Sequence, residues 1–134
     1  MPRQLIAITM LAVLASTPAV AQDGDAEDGA KVFRRCQACH AVGEDAQNKV
    51  GPQLNDLFGR QPGSLEGFNY SDAMVEFGQD KVWDVEHLTA FLRNPRETVP
   101  GTKMAFPGLR KDEEIADVIA FLAEQEEGGT ETEQ

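Results

Sequence analysis

Cys36-Gln37-Ala38-Cys39-His40 is the stretch that decides what kind of chain this is. Two cysteines three positions apart on one turn present their sulfurs to the same side, where both can add to the vinyl groups along one porphyrin edge. The next residue, His40, can then swing an imidazole nitrogen beneath the ring to meet the iron. The pentapeptide therefore predicts one covalently attached haem c, held through Cys36 and Cys39, with His40 as proximal ligand to the metal.

Three other uses of the same residues compete. A redox-active dithiol shares the spacing but sits at a helix start in a βαβ setting, a pattern this chain lacks. A zinc site takes about four ligands, and the chain offers only Cys36, Cys39, His40 and His87. A disulfide between Cys36 and Cys39 would close too small a loop to stabilise much.

Upstream, Met1-Pro2-Arg3-Gln4, an apolar run from Leu5 to Leu14, and Ala19-Val20-Ala21 follow the order of a secretory signal cleaved after Ala21. The greasy run of about ten residues falls short of the roughly 20 that span a bilayer. The expectation is an exported, soluble protein of the periplasm, with a cleaved signal at 1–21, one domain at 22–127 and a flexible polar tail at 128–134. The 134 residues carry 12 basic and 23 acidic side chains, a net charge of −11. That balance argues against nucleic acid or an anionic membrane as partner.

Downstream and around the motif, helical periodicity predicts helices over Ala26 to Cys36, Ser71 to Phe77, Asp84 to Arg93 and Asp112 to Glu126. Gly29, Val32 and Phe33 share one face of the first; Ile115, Val118, Ile119 and Leu122 share one face of the last. Between residues 41 and 67, glycines and Pro52 and Pro62 punctuate too often for long elements. An all-α fold with long loops wrapped around one haem follows. The planar apolar cofactor completes a core that a mature chain of about 113 residues could not build alone.

The iron needs a second axial ligand or an open position, and Met74, Met104 and His87 are the candidates. Met74 falls inside a short apolar helix, where methionine fills gaps. His87 lies off the apolar stripe of its helix and is expected to face solvent. Met104 sits in a loop bracketed by Pro100-Gly101 and Pro107-Gly108, with no helical core to fill, and is the predicted distal ligand. The haem propionates need donors; Arg60, Tyr70, Ser71, Trp83 and Thr102 are the residues assigned to them.

With those residues in place, the chain resembles the class I c-type cytochromes, in particular the mitochondrial-like bacterial carriers grouped as cytochrome c2. The resemblance runs from Gly29 to Leu122. It rests on Gly29 and Phe33, the Cys36-to-His40 site, Gly51-Pro52-Gln53-Leu54, Leu57-Phe58-Gly59-Arg60, Gly67-Phe68-Asn69-Tyr70, Trp83, Asn94-Pro95, and Pro100-Gly101-Thr102-Lys103-Met104-Ala105-Phe106. The resemblance implies that the first and last helices cross where Gly29 and Phe33 meet Val118 and Phe121. It implies that the Pro52 carbonyl holds the His40 ring, that Arg60, Tyr70 and Trp83 bind a propionate, and that Phe106 lies against the haem near its exposed edge. Two positions depart from mitochondrial relatives: Phe91 replaces a common tyrosine and Met74 a common asparagine, so the distal side is more apolar.

The implied function is one-electron transport: accepting from a cytochrome bc complex and delivering to an oxidase, a photosynthetic reaction centre or a denitrification enzyme, by a monomer that is not itself an enzyme. A haem peroxidase or small-molecule sensor with a labile distal ligand is the alternative. All eleven basic residues of the mature chain lie between positions 31 and 111, where only ten acids accompany them; the remaining 13 acids sit at 22–28 and 112–134. The haem-enclosing span is thus near neutral between two negative ends. Arg35 and Lys103, next to the two ligand motifs, are expected to rim the haem edge and meet acidic patches on redox partners.

Overall fold

The computed structural model describes residues 24–126. The segments expected to be a signal (1–21) and a tail (128–134) lie outside the described residues. Among the described residues five α-helices form in chain order: α1 (Ala26–Phe33), α2 (Asp72–Phe77), α3 (Val85–Arg93), α4 (Pro95–Thr98) and α5 (Asp112–Ala123), with a 3-10 turn at Gly78–Asp80 after α2. Among the described residues no strand forms.

Each start has a local cause. The Asp25 carboxylate accepts from the Asp28 N–H and caps α1, and Glu27 and Asp28 complement its positive end. Ser71 and Asp84 cap α2 and α3 in the same way. Pro95 does end α3, as its missing N–H requires, but it also opens α4: Asn94 caps that turn, with proline at its first position. The first helix is shorter than its periodicity suggests. It closes at Phe33, and single turns carry the chain on, with Cys36 N–H donating to Phe33 O (2.7 Å), Cys39 N–H to Cys36 O (3.0 Å) and His40 N–H to the same Cys36 O (2.8 Å). The last helix likewise ends at Ala123 rather than Glu126.

The frame is the crossing of α1 and α5. A Cβ on Gly29 would lie 2.0 Å from the Asp117 carbonyl oxygen and 2.8 Å from Phe121 Cβ, so the backbones touch where only glycine fits. One turn on, the rings of Phe33 and Phe121 sit 5.1 Å apart, tilted by 38°. Asp117 and Phe121 therefore meet Gly29 and Phe33, while Val118, 1 % exposed, packs in the same core. The buried Asp117 carboxylate accepts from the Asp25 backbone N–H (2.8 Å), fastening the start of α1 to the far end of the chain. Arg35 adds a two-pronged ion pair with Glu114 on the surface (2.8 and 3.3 Å). The segments between these helices wrap one apolar cavity.

At the end of α5, the Asp56 N–H donates to the Gln125 carbonyl (3.0 Å), docking the loop at 55–60. Glu126 lies there with one carboxyl oxygen buried and without a hydrogen-bond partner among the described residues. Burial pushes its pKa up, and the neighbouring Asp56 carboxyl adds to the shift, against the Phe58 backbone and Arg60.

Replacing Gly29 with alanine is expected to destabilise the holoprotein by about 3 kcal/mol, read as a lower midpoint in denaturant unfolding followed by Trp83 fluorescence; an unchanged midpoint would show that the crossing tolerates a side chain. Because the folded pKa of Glu126 is raised, its protonated form stabilises at low pH and that contribution is lost as pH rises through the raised value. Glu126→Gln should therefore unfold at higher denaturant than the native chain at pH 7, with the difference vanishing below the ordinary carboxylate range. A gain of equal size at both pH values would contradict a buried charge as its source.

Candidate functional site: an apolar cavity between a histidine and a methionine

The cavity has a volume of about 340 Å³ and is lined by Cys36, Cys39 and His40 from one stretch of chain and by Thr102 to Phe106 from another. Phe33, Leu57, Leu88 and Leu122, each no more than 4 % exposed, form its deep wall. Both cysteines reach the cavity as free thiols. Burial pushes the Cys36 thiol up, opposed by the Arg35 guanidinium.

His40 is held from two sides. Its Nδ1 lies 2.7 Å from the Pro52 carbonyl oxygen. A carbonyl can only accept, so Nδ1 donates and the lone pair is left on Nε2, the tautomer that can bind a metal. Gly51 is packed against the ring: a Cβ there would lie 2.5 Å from His40 Cε1. The Gly51 N–H donates back to the Cys39 carbonyl (2.8 Å), and Leu54 N–H to Ala41 O (3.0 Å), which pins the 51–54 strip under the imidazole. Burial lowers the His40 pKa, so the ring is held neutral despite the Pro52 carbonyl pulling the other way; Lys49 adds to the lowering.

Met104 faces the same cavity from an irregular loop. The Thr102 hydroxyl accepts from the Met104 N–H (3.2 Å), and Thr102 N–H donates to Val99 O (3.0 Å), so a short-range net holds the Met104 backbone in place. Met74 and Phe91, 9 % and 7 % exposed, also line the cavity. Met74 is thus both a core residue and a wall of the site.

The five residues assigned to propionates all line the cavity. Arg60 donates to the Gln53 carbonyl (3.1 Å) and to the Asn55 carbonyl. Tyr70 lies beside it; burial raises the phenol pKa, with the Leu65 backbone and Arg60 opposing. Ser71 accepts from the Met74 N–H (3.1 Å), which leaves its hydroxyl proton free to donate into the cavity it lines. Trp83 is placed next to Arg60 by a reciprocal pair, Gly59 N–H to Trp83 O (2.9 Å) and Trp83 N–H to Arg60 O (2.8 Å). Phe106, half-buried, stands near the opening with Val50, which is 80 % exposed.

One placement differs from what the sequence suggests, and the two expected rim charges, Arg35 and Lys103, do line the cavity. His87 is half-buried rather than solvent-facing: its ring stands edge-on to Phe77, and its Nδ1 lies 3.1 Å from Val82 O, away from the cavity. Arg35 reaches the cavity wall, but Glu114 matches its charge. Lys103 donates to the Asn69 carbonyl (3.2 Å). Asn55 was not singled out, yet it is 5 % exposed and grips Gly43 on both sides, accepting from its N–H (2.9 Å) and donating to its O (2.7 Å). A polar side chain in a glycine-rich run hints at such a clamp, but the partner twelve residues away is invisible in a one-dimensional pattern.

These residues fit a covalent haem. The walls are apolar, and two cysteines, an imidazole with its Nε2 lone pair free, a thioether and five hydrogen-bonding side chains line the same space. Gly51 supplies the flat floor that the His40 ring needs. No three His, Cys, Asp or Glu side chains converge, among the described residues, into a set able to hold a bare metal ion.

Comparison with known proteins agrees. The cytochrome c family profile matches residues 26–126. Cytochrome c-550 from Ancylobacter novellus is 50 % identical over 103 residues, covering 76 % of this chain and 96 % of that one. Cytochrome c2 from Afifella marina is 54 % identical over 95 residues, covering 70 % and 77 %. The solved structure of cytochrome cH from Methylobacterium extorquens superposes with a TM-score of 0.70 at 39 % identity, covering 75 % of this chain and 99 % of that one. The chain belongs to the cytochrome c family: it is an all-α electron-carrier cytochrome of the c2 group, with one haem c bound covalently through Cys36 and Cys39.

Proposed function

We propose that this cytochrome is a diffusible periplasmic shuttle that makes and breaks no substrate bond, with His40 and Met104 as its two axial ligands. The observation that carries this is the convergence of Cys36, Cys39, His40 and Met104 on one apolar cavity. When bound, the haem supplies an iron that alternates between ferric and ferrous.

The chain's own residues serve that alternation by holding still. Pro52 and Gly51 fix the His40 ring, and the Thr102 hydroxyl fixes the Met104 backbone, so neither ligand needs to reorganise when the charge changes. Phe33, Leu57, Leu88 and Leu122 exclude water from the deep side. Arg60, Tyr70, Ser71, Trp83 and Thr102 supply donors for the propionates. The other imidazole, His87, lies outside the cavity, so no acid–base side chain of that kind stands ready for a peroxidase or sensor.

Electrons enter and leave at the open rim near Phe106 and Val50. A cytochrome bc complex as donor, and an oxidase, reaction centre or denitrification enzyme as acceptor, suit a carrier of this kind. Exposed Lys103, in the cavity lining, supplies positive charge there, while Arg35 is neutralised by Glu114. Such contacts steer the encounter more than they hold it, as transient redox docking requires. Export rests on the basic start, the short apolar run and Ala19-Val20-Ala21; removal of residues 1–21 leaves a monomeric domain at 22–127 and a polar tail. Among the described residues no helix is long and apolar enough to cross a membrane.

Mass spectrometry of the exported protein under denaturing conditions is expected to show the chain without residues 1–21 plus one haem, and its ferrous form should resist carbon monoxide. A bare polypeptide would overturn haem attachment, and ready carbon monoxide binding would favour the sensor or peroxidase. Reduction by a purified cytochrome bc complex should slow as ionic strength rises past about 0.1 M, where the screening length falls to about 10 Å. A rate indifferent to salt would remove charge steering from the account.

A further inference from the structure

We infer that Met74 is a reserve axial ligand: a second thioether facing the haem cavity that takes the iron when Met104 is absent. The inference rests on Met104 being the distal ligand and adds a residue to that same site. It starts from the presence of two methionine side chains in one cavity lining, one on a loop and one on a helix.

The segment that bears Met74 is fastened to the segment that bears Met104. Lys103 donates from the loop to the Asn69 carbonyl just before α2. A Cβ on Gly101 would lie 3.2 Å from Ala73 Cβ, so the loop passes directly over the residue beside Met74. Ala73, Glu76 and Phe77 of α2 also share a surface groove with Thr98, Val99 and Pro100. Met74 therefore comes from the Met104 side of the fold, whereas His40 is held by the separate strip at 51–54.

Met74 is also anchored as a ligand should be. Both the backbone carbonyl and the hydroxyl of Ser71 accept from its N–H, each at 3.1 Å. Its side chain is 9 % exposed, against an irregular loop with exposed Lys103 and Ala105 flanking Met104. A thioether is neutral and flexible, and it needs no proton loss to bind ferric or ferrous iron. The other groups of the lining lack that combination. Lys103 would have to give up a proton and its carbonyl partner, and the Tyr70 phenol would have to ionise while burial opposes it.

The test uses the exported holoprotein at neutral pH, with two readouts of sulfur on iron: the ferric sulfur-to-iron charge-transfer band and the strongly upfield-shifted methionine methyl resonance of the ferrous form. Met74→Leu is expected to leave both in place, Met104→Ala to retain both in weakened form, and the double variant to lose them and bind carbon monoxide. Loss of both signatures in Met104→Ala, to the level of the double variant, would overturn the reserve role while leaving Met104 as the native ligand. Loss in Met74→Leu with retention in Met104→Ala would instead overturn Met104 as that ligand. Should Met104→Ala fail to accumulate with haem, Met104→Ser opens the same position and is read in the same way.

Discussion

Everything in this fold depends on filling one apolar hollow. At about 24 cal/mol per Å³ of cavity, an empty space of 340 Å³ would cost up to about 8 kcal/mol. That is comparable with the whole stability of a small domain, about 5–15 kcal/mol. The helices are short, from 4 to 12 residues, and the longest strip between them, residues 34 to 71, has no helix to support it. Covalent attachment answers this constraint, because a cofactor tethered through two sulfurs cannot diffuse out of the core it completes.

The same constraint explains why backbone groups do so much of the holding. Gly51 N–H, Leu54 N–H, Gly59 N–H and Trp83 N–H fix the strips that pass the cavity through bonds to backbone carbonyls, and those bonds do not depend on side-chain choice. Asn55 joins two of those strips through Gly43. The ligand residues are thus set in a lattice of short local bonds, while the α1–α5 crossing closes the shell behind them.

Much of this was legible in the residues alone. The apolar faces of α1 and α5 and the haem motif are local patterns, and each appears where the sequence places it. What could not be read is non-local. Asn55 clamps Gly43 twelve positions away. Pro95 signals a stop, and only Asn94's cap turns that stop into the start of α4. Arg35 looks like a free rim charge until Glu114, 79 positions away, is brought beside it. His87 looks exposed until Phe77 and Val82 fold against it.

The bond from the Asp25 N–H to Asp117 joins residues 92 positions apart. Closing so long a loop is entropically slow to arrange, and a chain synthesised from its N terminus has no α5 to offer until nearly all of it exists. Cys36 and Cys39 are made long before that. They emerge on a polypeptide whose shell cannot yet shut, open to whatever machinery loads the cofactor, and the last helix to be born then seals the cargo inside.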